Sequence, residues 1–175
     1  MASSFLTRRE LSVRLVSMLS VMGVAGTVGA VSVSETDEIS RTGECIHQEV
    51  VFKASRARIY QILTDAKQFG KVVDLIMPGA GPSTSISPDA GGTFVMFGGF
   101  ILGRHIEMVP SERLVQAWRE KNWEPGIYSL VNFQLTEHGP DTRLVFNQTG
   151  IPQGHADHLA PGWKSHYWEP IQKVL

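Results

Sequence analysis

The sequence predicts an α+β domain over residues 44–175: a curved antiparallel sheet wrapped around a long C-terminal helix, with two short helices after the first strand. Three observations predict it. From Thr93 to Thr149, strand-length segments with alternating apolar residues follow one another, each bounded by a turn-forming group. Leu159, Trp163, Tyr167, Ile171 and Leu175 recur at every fourth position, which is the stripe of one long amphipathic helix. A single strand-like segment, Cys45 to Lys53, precedes two segments with helical spacing.

Taken in order, residues 1–30 form a segment of their own. Arg8 and Arg9 precede an apolar stretch from Leu15 to Val31 that ends in small residues at Val28-Gly29-Ala30. That order predicts a signal peptide of the twin-arginine kind, cleaved after Ala30. Used, it sends the chain to the periplasm or outside the cell and leaves no stable membrane span; unused, it leaves the chain in the cytoplasm. Residues 31–43 are mostly polar, without apolar periodicity, and read as a linker.

Within the domain, Ile46, Val50 and Phe52 mark the first strand. Ser55 and the Thr64-Asp65 pair are placed to cap two short helices, the second carrying Phe69. The Pro-, Gly- and Ser-rich run from Met77 to Gly92 leaves room for one short strand near Thr84 to Ser87. Strands are then expected at Thr93–Phe97, Ile101–Val109, Leu114–Arg119, Tyr128–Thr136 and Thr142–Thr149. Their alternation buries one face only, so the last helix has to cover the sheet. Pro170 lies in that helix and is expected to kink it or to end its regular hydrogen bonding.

Composition narrows the function classes. Sixteen basic and seventeen acidic residues give a net charge of −1, and removal of the first thirty residues takes Arg8, Arg9 and Arg14 against Glu10 alone. No positive surplus remains to neutralise a phosphate backbone, so nucleic acid is not an expected partner. Cys45 is the only cysteine, which excludes an intrachain disulfide and a Cys-rich metal framework.

Particular segments carry a family resemblance: Gly91-Gly92-Thr93-Phe94, Phe97-Gly98-Gly99, Ile101-Leu102-Gly103, Val115-Gln116-Ala117-Trp118-Arg119, Tyr128-Ser129, Thr142-Arg143-Leu144, Thr149-Gly150-Ile151-Pro152 and Gly162-Trp163. In this order they resemble the signature segments of the heat-shock protein 90 ATPase activator homologue group, within the START-like (SRPBCC) helix-grip superfamily. The match spans about 130 of the 175 residues. It implies the helix-grip fold and a hydrophobic cavity between sheet and helix, but no shared catalytic set. A chaperone partner is implied only for a cytosolic chain.

The expected function is a non-catalytic START-like domain that holds a small hydrophobic or amphipathic molecule, with no cofactor. Phe69, Phe94, Phe97, Trp118, Val131, Phe133, Phe146, Trp163 and Tyr167 are the expected cavity and ligand-binding residues, because they are mostly large side chains where a curved sheet faces a helix. Glycines 91, 92, 98, 99 and 103 are expected to bend the strands and leave volume unfilled. The alternatives are a chaperone ATPase-activator-like interaction module and a cyclase- or hydrolase-like enzyme using the same cavity, the latter needing His105, Glu107 and Arg119 to converge in it. No catalytic residue is assigned. His155, His158 and His166 have helical spacing for a metal, but their place at a solvated helix start, with Asp157 as the expected cap, argues for no metal site.

Overall fold

Residues 43–175 are described by the computed structural model of the chain. The expected signal segment, 1–30, and all but the last residue of the expected linker, 31–43, lie outside them. Seven strands form one antiparallel sheet: β1 (Glu44–Phe52), β2 (Ser85–Ile86), β3 (Thr93–Met96), β4 (Ile101–Val109), β5 (Arg113–Glu120), β6 (Ser129–His138) and β7 (Asp141–Ile151). Their order is β1-β7-β6-β5-β4-β3-β2, so β3 to β7 make a meander and β1 returns to pair with β7. The helices are α1 (Arg56–Thr64), α2 (Ala66–Asp74), α3 (Ala156–Trp163) and α4 (Glu169–Val174). This is the expected α+β helix-grip arrangement.

Local chemistry places each boundary. The Ser55 side chain accepts from the Arg58 amide and starts α1, and the Asp65 carboxylate accepts from the Gln68 amide and starts α2. Along β5 the burial alternates without a break: Leu114, Gln116, Trp118 and Glu120 face the helix, and their neighbours face away. Among the described residues, no helix is long and apolar enough to cross a membrane.

The C-terminal helix departs from an even stripe. Leu159, Trp163, Tyr167 and Ile171 are buried as expected, whereas Leu175 is 40% exposed. Between α3 and α4, residues Lys164–Trp168 form a π turn, in which the Glu169 amide donates to the Lys164 carbonyl five residues back. The wider turn admits one extra residue, so Trp168 faces the sheet beside Tyr167. Proline accounts for the irregularity, since Pro170 and Pro161 both lack an amide hydrogen. Gln48 of β1 braces the segment: its Nε2 donates to the Ala160 carbonyl (2.8 Å) and its Oε1 accepts from Trp168 Nε1 (2.5 Å).

Asp157 does not cap this helix. The cap comes from Glu44 of β1, whose carboxylate accepts from the Gly154 and Ala156 amides, both at 2.8 Å. Those bonds hold the Glu44 carboxyl below its ordinary pKa range. A strand residue distant in sequence therefore satisfies the amides that a neighbouring side chain was expected to satisfy.

Gly103 also corrects an expectation. It lies opposite Phe94 in the β3–β4 register, and a Cβ there would overlap the Phe94 ring and the Ala117 carbonyl oxygen. The missing side chain is thus occupied by an aromatic ring from the next strand, and this glycine fills space where it was expected to leave it.

Candidate functional site: an apolar cavity at one end of the sheet

A cavity of about 370 Å³ opens where the ends of β4 and β5 meet the C-terminal helix. The segment after α2 supplies Ile76 and Met77, the turn before β4 supplies Phe97 and Phe100, β5 supplies Trp118 and Glu120, and the helix supplies His158, Leu159, Gly162, Trp163, His166 and Tyr167. The wall is predominantly apolar. Phe97 reaches it from a left-handed backbone (φ 52°), which costs a non-glycine residue roughly 1–2 kcal/mol. Packing offsets that strain, because the ring lies 5.8 Å from Phe69 and 5.5 Å from Tyr167.

Of the nine expected cavity residues, Phe97, Trp118, Trp163 and Tyr167 line this space. Phe69, Phe94, Val131, Phe133 and Phe146 do not; they are packed into the solid core. The middle of the sheet is filled because two indoles occupy it. Trp163 and Trp168 stack with ring centroids 5.6 Å apart, and Phe146 lies 4.3 Å from Trp163 and 5.3 Å from Trp168. Ile76, Met77, Phe100, Leu159, Gly162 and the polar members Glu120, His158 and His166 were not foreseen. Glu120 was readable, since it continues the inward face of β5 two residues beyond Trp118.

A buried polar chain fixes the back wall. Trp163 Nε1 donates to Gln148 Oε1 (2.7 Å), Gln148 Nε2 donates to Ser129 Oγ (2.8 Å), and Ser129 Oγ donates to the Trp118 carbonyl (3.1 Å). Two other buried polar atoms on cavity residues, Trp118 Nε1 and Tyr167 Oη, make no well-formed hydrogen bond, and the indole N–H is the neighbour of the phenol oxygen. Burial pushes the Tyr167 phenol well above its ordinary pKa, so it stays neutral and able to donate.

The residues proposed for acid–base chemistry do not converge. A bulge between His105 and Glu107 inserts Ile106 into β4, so both residues no longer share a face. His105 is fully buried beside Phe94 and Gln116, with burial lowering its pKa below the ordinary 6.5. Glu107 faces outward in a bidentate pair with Arg113 (2.7 and 2.8 Å). Arg119 also points outward, donating to the Trp123 carbonyl and lying over the Tyr128 ring at 5.5 Å. The three histidines separate as well: His166 turns to the Gly162 carbonyl (3.1 Å), while His155 and His158 stand beside Glu120.

A seven-stranded antiparallel sheet closed by a C-terminal helix, with an apolar cavity between them, defines a helix-grip domain of the START-like kind. Residues 53–175 match the family model described as activator of Hsp90 ATPase homolog 1-like protein. The chain belongs to that family. It is 25% identical over 124 residues to the human activator of 90 kDa heat shock protein ATPase homolog 1, covering 71% of this chain and 35% of that protein. Against the Dictyostelium discoideum homologue it is 34% identical over 88 residues, covering 50% of this chain and 23% of that protein. The chain therefore spans about a third or less of the length of these relatives. Among solved structures, an HSP90 activator from Plasmodium falciparum superposes with a TM-score of 0.68 at 20% identity, over 74% of this chain and 94% of that one. CalU16 from Micromonospora echinospora superposes with a TM-score of 0.61 at 16% identity, over 75% of this chain and 76% of that one.

Proposed function

We propose that this chain is a non-catalytic binding domain that holds a small apolar or amphipathic molecule in the cavity beside Trp118 and Trp163. The cavity itself carries the reading: about 370 Å³ of space with a mainly apolar wall lies within the size range of small-molecule sites. The acid–base residues expected from the sequence, His105, Glu107 and Arg119, lie away from the cavity, which favours binding over turnover by that set.

Gly162 provides the test. It lines the cavity from within α3 at an ordinary helical φ, and a Cβ there meets nothing closer than His166 Nδ1 at 3.9 Å. Gly162→Leu should abolish uptake of a fluorescent apolar probe while leaving the urea midpoint unchanged or raised, because leucine is the better helix former by about 0.5–1 kcal/mol. A parent that binds neither the probe nor any co-purifying molecule detectable by native mass spectrometry overturns the reading.

A second reading rests on the relatives, several of which are named as activators of the 90 kDa heat shock protein ATPase and one as an Hsp90 co-chaperone. For this chain it requires a cytosolic location and a surface that engages the chaperone. Stimulation of the chaperone's ATP turnover by the purified chain, undiminished by Gly162→Leu, would favour that role over ligand binding. Export by the N-terminal segment would favour the first reading, with the domain in the periplasm or outside the cell.

A further inference from the structure

We propose that Glu120, His155 and His158 form a binding site for a divalent transition-metal ion of the zinc or cobalt kind, at the rim of the cavity. One ligand atom from each of the three lies within 4.8 Å of the other two. His158 Nε2 and Glu120 Oε2 are already 3.3 Å apart, close to the edge of a tetrahedron drawn with metal–ligand bonds of about 2.0–2.1 Å. His155 and His158, three residues apart at the start of α3, lie on one face of its first turn. Glu120 reaches them from the last position of β5.

Burial distinguishes this group from a chance surface cluster. The Glu120 side chain is only 7% exposed, and among the described residues its one ion-pair partner is His158. A carboxylate taken out of water needs a cation or hydrogen-bond donors, and the contact with His158 Nε2 supplies one where a carboxylate can take several. His155 Nδ1 is likewise buried with no partner, and the Trp123 ring packs edge-on against His155 at 5.8 Å and restrains it. The positive end of a helix would ordinarily oppose a cation here, but the Glu44 carboxylate sits on the Gly154 and Ala156 amides and offsets it.

The donor set selects the ion. Two imidazoles and one carboxylate suit zinc, cobalt or ferrous iron, whereas magnesium and calcium require mostly oxygen ligands and only Glu120 of the three supplies one. Three protein ligands leave a coordination position free. Glu120 and His158 also line the cavity, so the ion would sit at its rim. The site stands whether or not the cavity takes an apolar ligand, since the ion needs only the three side chains.

Isothermal titration of the untagged chain with zinc chloride, and visible absorption on adding cobalt chloride, test the site. One ion per chain is expected, with an intense four-coordinate cobalt spectrum and no comparable uptake of magnesium or calcium. His158→Ala is the first variant to measure, because the His158 side chain is 53% exposed and its loss spares the core. It should weaken zinc binding by roughly 100-fold or more, beyond the usual effect of losing an outer-shell partner. Glu120→Gln should do the same, and His138→Ala, on the exposed β6–β7 turn, should leave binding unchanged. Absence of uptake by the parent, equal affinity in His158→Ala, or an equal loss in His138→Ala overturns the proposal.

Discussion

Gly103 and His105, two residues apart on β4, show how much a single position constrains the sheet. Any side chain at 103 meets both the Phe94 ring and the Ala117 carbonyl of β5, and backbone does not move cheaply. Gly103→Ala is therefore expected to destabilise the domain by about 1–3 kcal/mol, read from the urea midpoint, and Phe94→Leu should partly relieve the loss by vacating the space. At His105 the relevant variable is pH. Burial lowers the folded-state pKa below 6.5, so below that pH the unfolded chain binds a proton that the folded chain refuses. Stability due to neutral His105 is present above about pH 6.5 and is lost as pH falls toward the folded pKa. The carboxylates with lowered pKa, Glu44, Glu49 and Glu107, act only below their ordinary 4.5. Urea midpoints measured between pH 7 and 5 should fall for the parent and fall less for His105→Gln.

Among the elements, the C-terminal helix decides most, and Trp163 is its anchor. The residue stacks on Trp168, touches Phe146 and Tyr167, and donates to Gln148, which is itself fully buried. Trp163→Ala removes the packing and leaves the Gln148 carbonyl without a donor, so a loss of roughly 3–5 kcal/mol is expected, a large part of the 5–15 kcal/mol that holds a domain together. Trp163→Phe keeps most of the packing and loses the hydrogen bond alone, which should cost about 1–3 kcal/mol. A melting temperature unchanged in both variants would contradict this account. The π turn explains why the anchor is effective: by admitting Trp168 beside Tyr167, it gives the sheet one more aromatic than a regular helix would present.

On the scale of the whole molecule, the location of the chain discriminates between the two proposed roles. Replacing Arg8 and Arg9 together with lysine should leave unprocessed precursor in the cytoplasm if the N-terminal segment uses a twin-arginine route, as cell fractionation would show. Unchanged processing and location in that variant would remove the twin-arginine reading. Precursor found in the cytoplasm of the unaltered strain would instead direct attention to a chaperone partner. The family relationship covers residues 53–175 of the chain, and the match to the human relative covers about a third of that protein.

The order of strands, the paired helix caps at Ser55 and Asp65, and the closing amphipathic helix were all legible in the sequence. Each depends on periodicity or on a neighbour three residues away, and such signals are local. The tertiary structure alone decided which aromatics line a cavity and which fill the core, because that depends on how Trp163 and Trp168 divide the space under the sheet. It also decided that His105 and Glu107 face opposite ways, since one inserted residue at Ile106 reverses the alternation beyond it. Glu120 meets His155 and His158, and Glu44 caps α3, only after β1, β5 and the helix have been brought together. Periodicity sets the face on which a side chain lies. Its partners across the fold are set by packing between segments more than thirty residues apart, and no local pattern in the chain encodes that.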